Sequence, residues 1–195
     1  MIRYLHNSLH NCLHNSLHKK RLVLALLSIP AATLMGCASA PMFSQDGLPA
    51  ALQVPAANAV VLEAVGVGKI AYECRVKKDS AGFEWVFVGP DAALNDRDGK
   101  QIGRYYGPPA TWESSDGSIV TGTQVAVATA APGSIPLQLV KANPATGKGS
   151  MVGTTFIQRV ATKGGVAPSS TCDAASTGKK EIVNYQADYI FYKAK

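Results

Sequence analysis

The segment Tyr105-Tyr106-Gly107-Pro108-Pro109-Ala110-Thr111-Trp112-Glu113-Ser114-Ser115-Asp116-Gly117-Ser118 gathers the residue types best suited to chemistry in this chain. Tyr105, Tyr106 and Trp112 offer flat amphipathic rings that can stack on a sugar face. Glu113, Asp116 and the neighbouring hydroxyls can bond to its oxygens, with the Pro-Pro turn stiffening the loop. Glu113 paired with Asp116 or with Glu84 also has the composition of a glycosidase acid and base. The same residues admit a plainer reading, with Trp112 a core or rim aromatic and Asp116 a turn residue flanking one bend.

Other catalytic sets fail for want of partners. All four histidines, His6, His10, His14 and His18, lie in a four-residue repeat near the N-terminus. On a helix they would share a face and could chelate a metal, but they precede what reads as a cleavage signal. That signal begins with a basic region (Arg3, Lys19, Lys20, Arg21) and continues through the apolar run Leu22 to Leu34. The run has the length of a signal-peptide core and is too short for a bilayer interior of roughly 30 Å. It ends in Leu34-Met35-Gly36-Cys37, the pattern of a bacterial lipoprotein signal, which predicts cleavage before Cys37 and lipid on its sulfur. The alternatives are conventional cleavage after Ala38-Ser39-Ala40, releasing a soluble secreted or periplasmic product, or an uncleaved anchor.

Removal of residues 1–36 leaves no histidine, so Ser-His-Asp, Cys-His and histidine-rich zinc chemistry are excluded. It also takes the 19 basic residues down by the four named above, against 13 acids, so the net charge falls from +6 to +2. A nucleic-acid partner, which needs a clustered basic footprint, loses its support. Gly66-Val67-Gly68 precedes a strand rather than a helix, which rules against a dinucleotide loop. Asn95-Asp96-Arg97-Asp98-Gly99 has the look of a calcium loop but places Leu94 and Tyr105 where acids are required. It reads as a hairpin turn, and neither metal nor cofactor is expected.

The elements that would position the aromatic segment are strands. Ile70, Tyr72, Cys74 and Val76 alternate with polar neighbours, and Phe83, Trp85 and Phe87 follow after a turn, the two making a hairpin. Further runs occur at Ile119 to Ala128, Ile135 to Ala142, Met151 to Val160 and Ile182 to Tyr192, with Asp98-Gly99 and Asp116-Gly117 as turns between strands. Helical period is absent after Cys37, apart from a single turn expected at Pro90 to Leu94. The spacing predicts an all-β fold, an antiparallel sandwich or barrel of about eight short strands with little helix. Residues 37–56 read as a flexible tether and 57–195 as one domain. Cys74 and Cys172 remain for a disulfide, the usual fate of two cysteines in an exported protein, with a reactive thiol as the alternative.

In order along the chain stand Val60-Val61-Leu62-Glu63-Ala64-Val65-Gly66-Val67-Gly68, Tyr72-Glu73-Cys74, Trp85-Val86-Phe87, Pro90-Asp91-Ala92, Trp112-Glu113, Asp116-Gly117-Ser118, Phe156-Ile157-Gln158-Arg159-Val160, Gly164-Gly165 and Cys172-Asp173. This set resembles the bacterial and fungal family known as domain of unknown function 3455, over nearly all of residues 55 to 192. The resemblance implies an exported protein, and Cys74 and Cys172 match the family's cysteine pair. Some fungal relatives carry a malate dehydrogenase label, for which this chain lacks both the phosphate loop and a histidine. Where the family often has a histidine, Tyr105 or Tyr106 stands, with Pro109-Ala110 inserted.

These features together predict an envelope lipoprotein, held by lipid on Cys37 and facing the periplasm from the outer membrane, since Ala38 rather than an acid follows the cysteine. Its expected role is non-catalytic binding of glycan, peptidoglycan or an envelope protein through Tyr105, Tyr106, Trp112, Glu113 and Asp116. A carbohydrate hydrolase using Glu113 and Asp116, or a structural assembly protein, are the alternatives.

Overall fold

A computed structural model describes residues 43–195; the expected leader, the histidine repeat with Cys12, the expected lipidation point Cys37 and residues 38–42 of the expected tether lie outside the described part. Eight strands follow in order: β1 (Asn58–Val76), β2 (Phe83–Asn95), β3 (Gln101–Tyr106), β4 (Thr111–Ser114), β5 (Ile119–Ala128), β6 (Leu137–Ala142), β7 (Thr154–Gly164) and β8 (Lys180–Ala194). Each pairs antiparallel with its successor and β8 returns to β1, so the sheet closes into an up-and-down barrel. The all-β expectation holds, and the architecture is a barrel rather than a sandwich. Among the described residues, helix is confined to the 3-10 turns Ala50–Leu52 and Ala174–Ser176.

Two details differ from the sequence reading. The strands are not uniformly short: β1 has 19 residues and β8 has 15. Register shifts at Ala71/Tyr72 against β2 and at Val60/Leu62 against β8 let β1 bend while it serves both neighbours. Pro90 to Leu94, expected as a helical turn, is strand. Pro90 lies beyond the last β3 partner of β2, Asp91, on a stretch bonded to β1 alone, a placement that proline tolerates.

Alternation decides which side chains fill the barrel. Ala64, Ile70, Leu94, Tyr105, Trp112, Val120, Ile157, Tyr189 and Phe191 point inward and form one buried cluster. Aromatic rings dominate its centre. The Tyr189 ring fits because Gly66 faces it: a Cβ there would lie 2.5 Å from Tyr189 Cε2.

A second cluster lies outside the barrel. Leu139, Val160, Ile190 and Tyr192 point outward from β6, β7 and β8, and residues 43–55 cover them, burying Leu52 and Val54. The Gln158 amide, wholly buried, donates to Leu52 O at 2.6 Å and accepts from Tyr192 Oη at 2.7 Å. The Phe43 backbone N–H donates to Glu63, which with Asp188 holds Arg97 at 2.7 and 2.8 Å. Residues 43–55, expected as part of a flexible tether, are therefore a docked strap. The cause is hydrophobic: each fully buried Leu or Val side chain contributes about 1.5–3 kcal/mol.

One barrel end carries the turns at 95–101, 114–119 and 142–154. The other carries the 76–83, 106–111 and 128–137 connections and the long loop 164–180. That loop is tied down by the Cys74–Cys172 disulfide, which bears out the expected pairing. Tyr72 Oη donates to Gly165 O and Trp85 Nε1 donates to Ser170 O, fastening the loop over the barrel end.

Candidate functional site

The aromatic segment is not one loop site; the pleat divides it. It forms β3, a turn with cis bonds before Pro108 and Pro109, β4, and the turn into β5. Successive residues of a strand point to opposite faces. Tyr105 and Trp112, direct partners across β3 and β4, point inward; Tyr106 and Glu113 point outward.

Trp112 is 1 % exposed and Tyr105 5 %. Their rings stack at 4.9 Å, and Trp112 meets the rings of Tyr189 and Phe191 edge-on at 5.9 and 6.5 Å. Both are core residues and offer no face to a ligand on the surface, contrary to their expected place in a binding loop. Burial raises the Tyr105 phenol above its ordinary value, the Arg159 charge opposing it.

Asp116 is a structural hub. Its carboxylate accepts from Ser118 N–H (2.9 Å), Ser118 Oγ and Ser150 N–H (2.7 Å), joining the β4–β5 turn to the loop before β7. The Ser118 hydroxyl, then the Ser150 and Ser118 amides, hold it far below the usual carboxylate range. Gly149 is required beside it, because a Cβ there would strike the Asp116 carboxyl at 2.2 Å. A carboxylate held ionised by three donors is a poor general acid. No contact joins it to Glu113, and Glu84, the other candidate, faces Arg75 on the hairpin at the opposite barrel end. The acid and base pairs drawn from the sequence are not assembled.

What the structure does assemble is on the outer wall. Tyr106 sits opposite Asp91 on β2, and Arg104 opposite Glu113 on β4. Two contacts cross this block: Tyr106 Oη donates to Glu113 Oε2 at 3.1 Å, and Arg104 Nη2 donates to Asp91 Oδ1 at 3.3 Å. The Arg104 guanidinium lies 5.7 Å from the Tyr106 ring centre. Partial desolvation and then the Glu113 carboxylate raise the Tyr106 phenol, with Arg104 opposing. Arg104 and Asp91 are largely exposed, their side chains 57 % and 74 % accessible. An aromatic ring bordered by a guanidinium and two carboxylates can pack on an apolar ring face and bond its hydroxyl rim.

Sequence reasoning missed Arg104 and Asp91. The signal was present, since Arg104 shares the two-residue phase of Tyr106, and Glu113 that of the outward side of β4. The Asn95–Gly99 segment is a hairpin turn, with the Asp98 and Lys100 amides donating to Asp96 Oδ1 and Gly99 at positive φ.

The architecture defines a closed, aromatic-filled antiparallel barrel with its polar features on the outer wall. The chain belongs to the family described as protein of unknown function (DUF3455), whose profile matches residues 55–193. Searches of curated proteins and of solved structures find no match.

Proposed function

We propose that this protein is a non-catalytic envelope lipoprotein that binds glycan on the outer wall of its barrel, through Tyr106 with Arg104, Asp91 and Glu113. The observation that carries the reading is the crossed block of these four side chains on three adjacent strands. A tyrosine ring keeps few rotatable bonds and combines apolar area with a polar tip, which favours a sugar over a purely charged ligand. The stiff turn beside it limits the ordering cost of binding.

In this reading lipid on Cys37 holds the domain at the membrane. Because the strap is docked from Phe43, the linker between lipid and barrel is at most about 20 Å long when fully extended. The barrel would work close to the bilayer surface, where peptidoglycan and surface glycans are in reach.

The test is a titration of the lipid-free chain with muropeptides and neutral oligosaccharides, read by chemical-shift or calorimetric response. Binding that is abolished by Tyr106→Ala and by Arg104→Ala, without product formation, supports the reading. Release of reducing sugar, or binding indifferent to both changes, sinks it. Mass spectrometry of the chain from membranes tests the anchor: Cys37 should carry lipid, and Cys37→Ala should leave the membrane fraction.

A further inference from the structure

Arg159 belongs to the inward set. It sits directly opposite Tyr189 on β8 and Gln138 on β6, and directly opposed strand residues share a face. Its neighbours Gln158 and Val160 point outward to the strap cluster, which fixes the phase independently. The side chain thus leaves β7 on the inward face, and its guanidinium reaches the exposed Pro136 carbonyl at the barrel mouth. Among the described residues no carboxylate lies within ion-pair distance of it.

Its surroundings are a backbone carbonyl, tyrosine hydroxyls and an indole N–H. Arg159 Nε and Nη2 donate to Pro136 O at 3.2 and 2.9 Å, which uses two of five N–H groups and fixes the plane of the group. The end-on pair, one N–H on each terminal nitrogen, borders the Tyr105 hydroxyl, and that parallel pair matches the two oxygens of a carboxylate. Tyr105 packs on Tyr189 with ring centres 4.9 Å apart, and the Tyr185 and Tyr189 hydroxyls lie 3.3 Å apart. The charge of Arg159 acts on the Tyr72, Tyr105, Tyr185 and Tyr189 phenols alike. Trp112 Nε1, on the ring stacked against Tyr105, is buried with no hydrogen-bond partner.

Toward the barrel end that holds Arg159, the wall lacks β4–β5 pairing. β4 ends against β5 at Thr121, so residues 122–128 of β5 pair only with β6. Along that stretch the inward phase is wet: Gln124 is exposed, Gln138 is half-buried, and Val127 is 49 % accessible. Gln138 Nε2 donates to Gln124 Oε1 at 2.6 Å, forming an amide pair at the opening. Arg159 is itself partly accessible.

We propose that Arg159 anchors a binding site for a carboxylate-bearing ligand, entered through the gap between the 106–111 turn and the free edge of β5. The Gln124–Gln138 amides would flank the entry and the tyrosine hydroxyls would meet the ligand inside. A neutral ligand can accept hydrogen bonds from the guanidinium but leaves its charge unpaired, and a second cation is repelled by it. A carboxylate both pairs the charge and uses the end-on N–H fork. This site is separate from the Tyr106 block and does not depend on it.

The test is a titration of the whole chain carrying Trp85→Phe, so that Trp112 alone reports by fluorescence. The probes are galacturonate and N-acetylglycine, with galactose as the neutral control. A saturable change is expected with one or both acids and none with galactose, and its affinity should fall as salt rises. The acid that responds identifies the source, a sugar acid or a peptide carboxyl end. Arg159→Gln should weaken binding at least about tenfold, equivalent to about 1.4 kcal/mol, with Arg159→Lys intermediate. Should Arg159→Gln not fold, Arg159→Lys and the salt series carry the test. An equal response to galactose, an unchanged affinity in both Arg159 variants, or no saturable response to either acid overturns the proposal.

Discussion

Tyr105 and Trp112 face each other across β3 and β4 with their rings stacked 4.9 Å apart inside the barrel, while their sequence neighbours Tyr106 and Glu113 bond to each other on the outside. One strand pair thus supplies the centre of the core and the candidate binding surface. Substitutions one residue apart should therefore fall into different classes.

Trp112→Ala should lower stability by about 3–5 kcal/mol, the usual cost of emptying an aromatic site in a packed core. Chemical denaturation should show this as a lower midpoint. A midpoint within experimental error of the parent would mean that Trp112 is not in the core.

Tyr106→Ala should change the same midpoint little, within about 0.5 kcal/mol, as expected at a surface position. Its effect should appear in glycan titrations instead. A large fall in stability from this substitution would assign Tyr106 a packing role and remove it from the proposed binding block.

Asp116 provides a pH test. Its folded value is depressed, so its stabilising contribution is complete above the unfolded aspartate value of about 3.9 and is lost as pH falls below that. Asp116→Asn should lower the melting temperature at neutral pH, and the gap from the parent should narrow by pH 2. An equal gap at both values would show that the ionised carboxylate is not what holds the turn.

The strap gives a fourth test. Leu52→Asp places a charge where the side chain is wholly buried and should release residues 43–55 from β6 to β8. Backbone amides along the strap should lose hydrogen-exchange protection, while those of β2 to β4 keep theirs. Loss of protection throughout the barrel would instead make the strap an integral part of the fold.

The strand class was legible because Ile70 to Val76 and Val183 to Phe191 alternate plainly, and both lie in long strands. Closure was not, since it rests on pairing β1 with β8, whose partners such as Ala64 and Tyr189 are more than a hundred positions apart. The aromatic segment was read as a loop because of Gly107-Pro108-Pro109, which obscured the alternation on either side. With alternation applied, Tyr105 and Trp112 fall on one face and Tyr106 and Glu113 on the other. The strap was hidden by its Ala, Pro and Gly content, although Leu48, Leu52 and Val54 were the anchors to notice. Arg159 was concealed in an apolar run, and only its phase with Ile157 marked it as inward.

Reduction of Cys74–Cys172 should cost about 4–5 kcal/mol in the chain-entropy view, given 98 residues of separation. The intact mass should rise by two hydrogens on reduction. An unchanged mass would show that the bond does not form in the isolated chain.

That same bond bears on what a protease can achieve. Every turn from the β1–β2 hairpin to the β6–β7 loop lies between the two cysteines. A single cut in any of them leaves both fragments covalently joined, and the strand pairing on either side still holds the cut ends in place. A nicked molecule would therefore keep its shape as one covalent unit, and its two halves could part only after reduction.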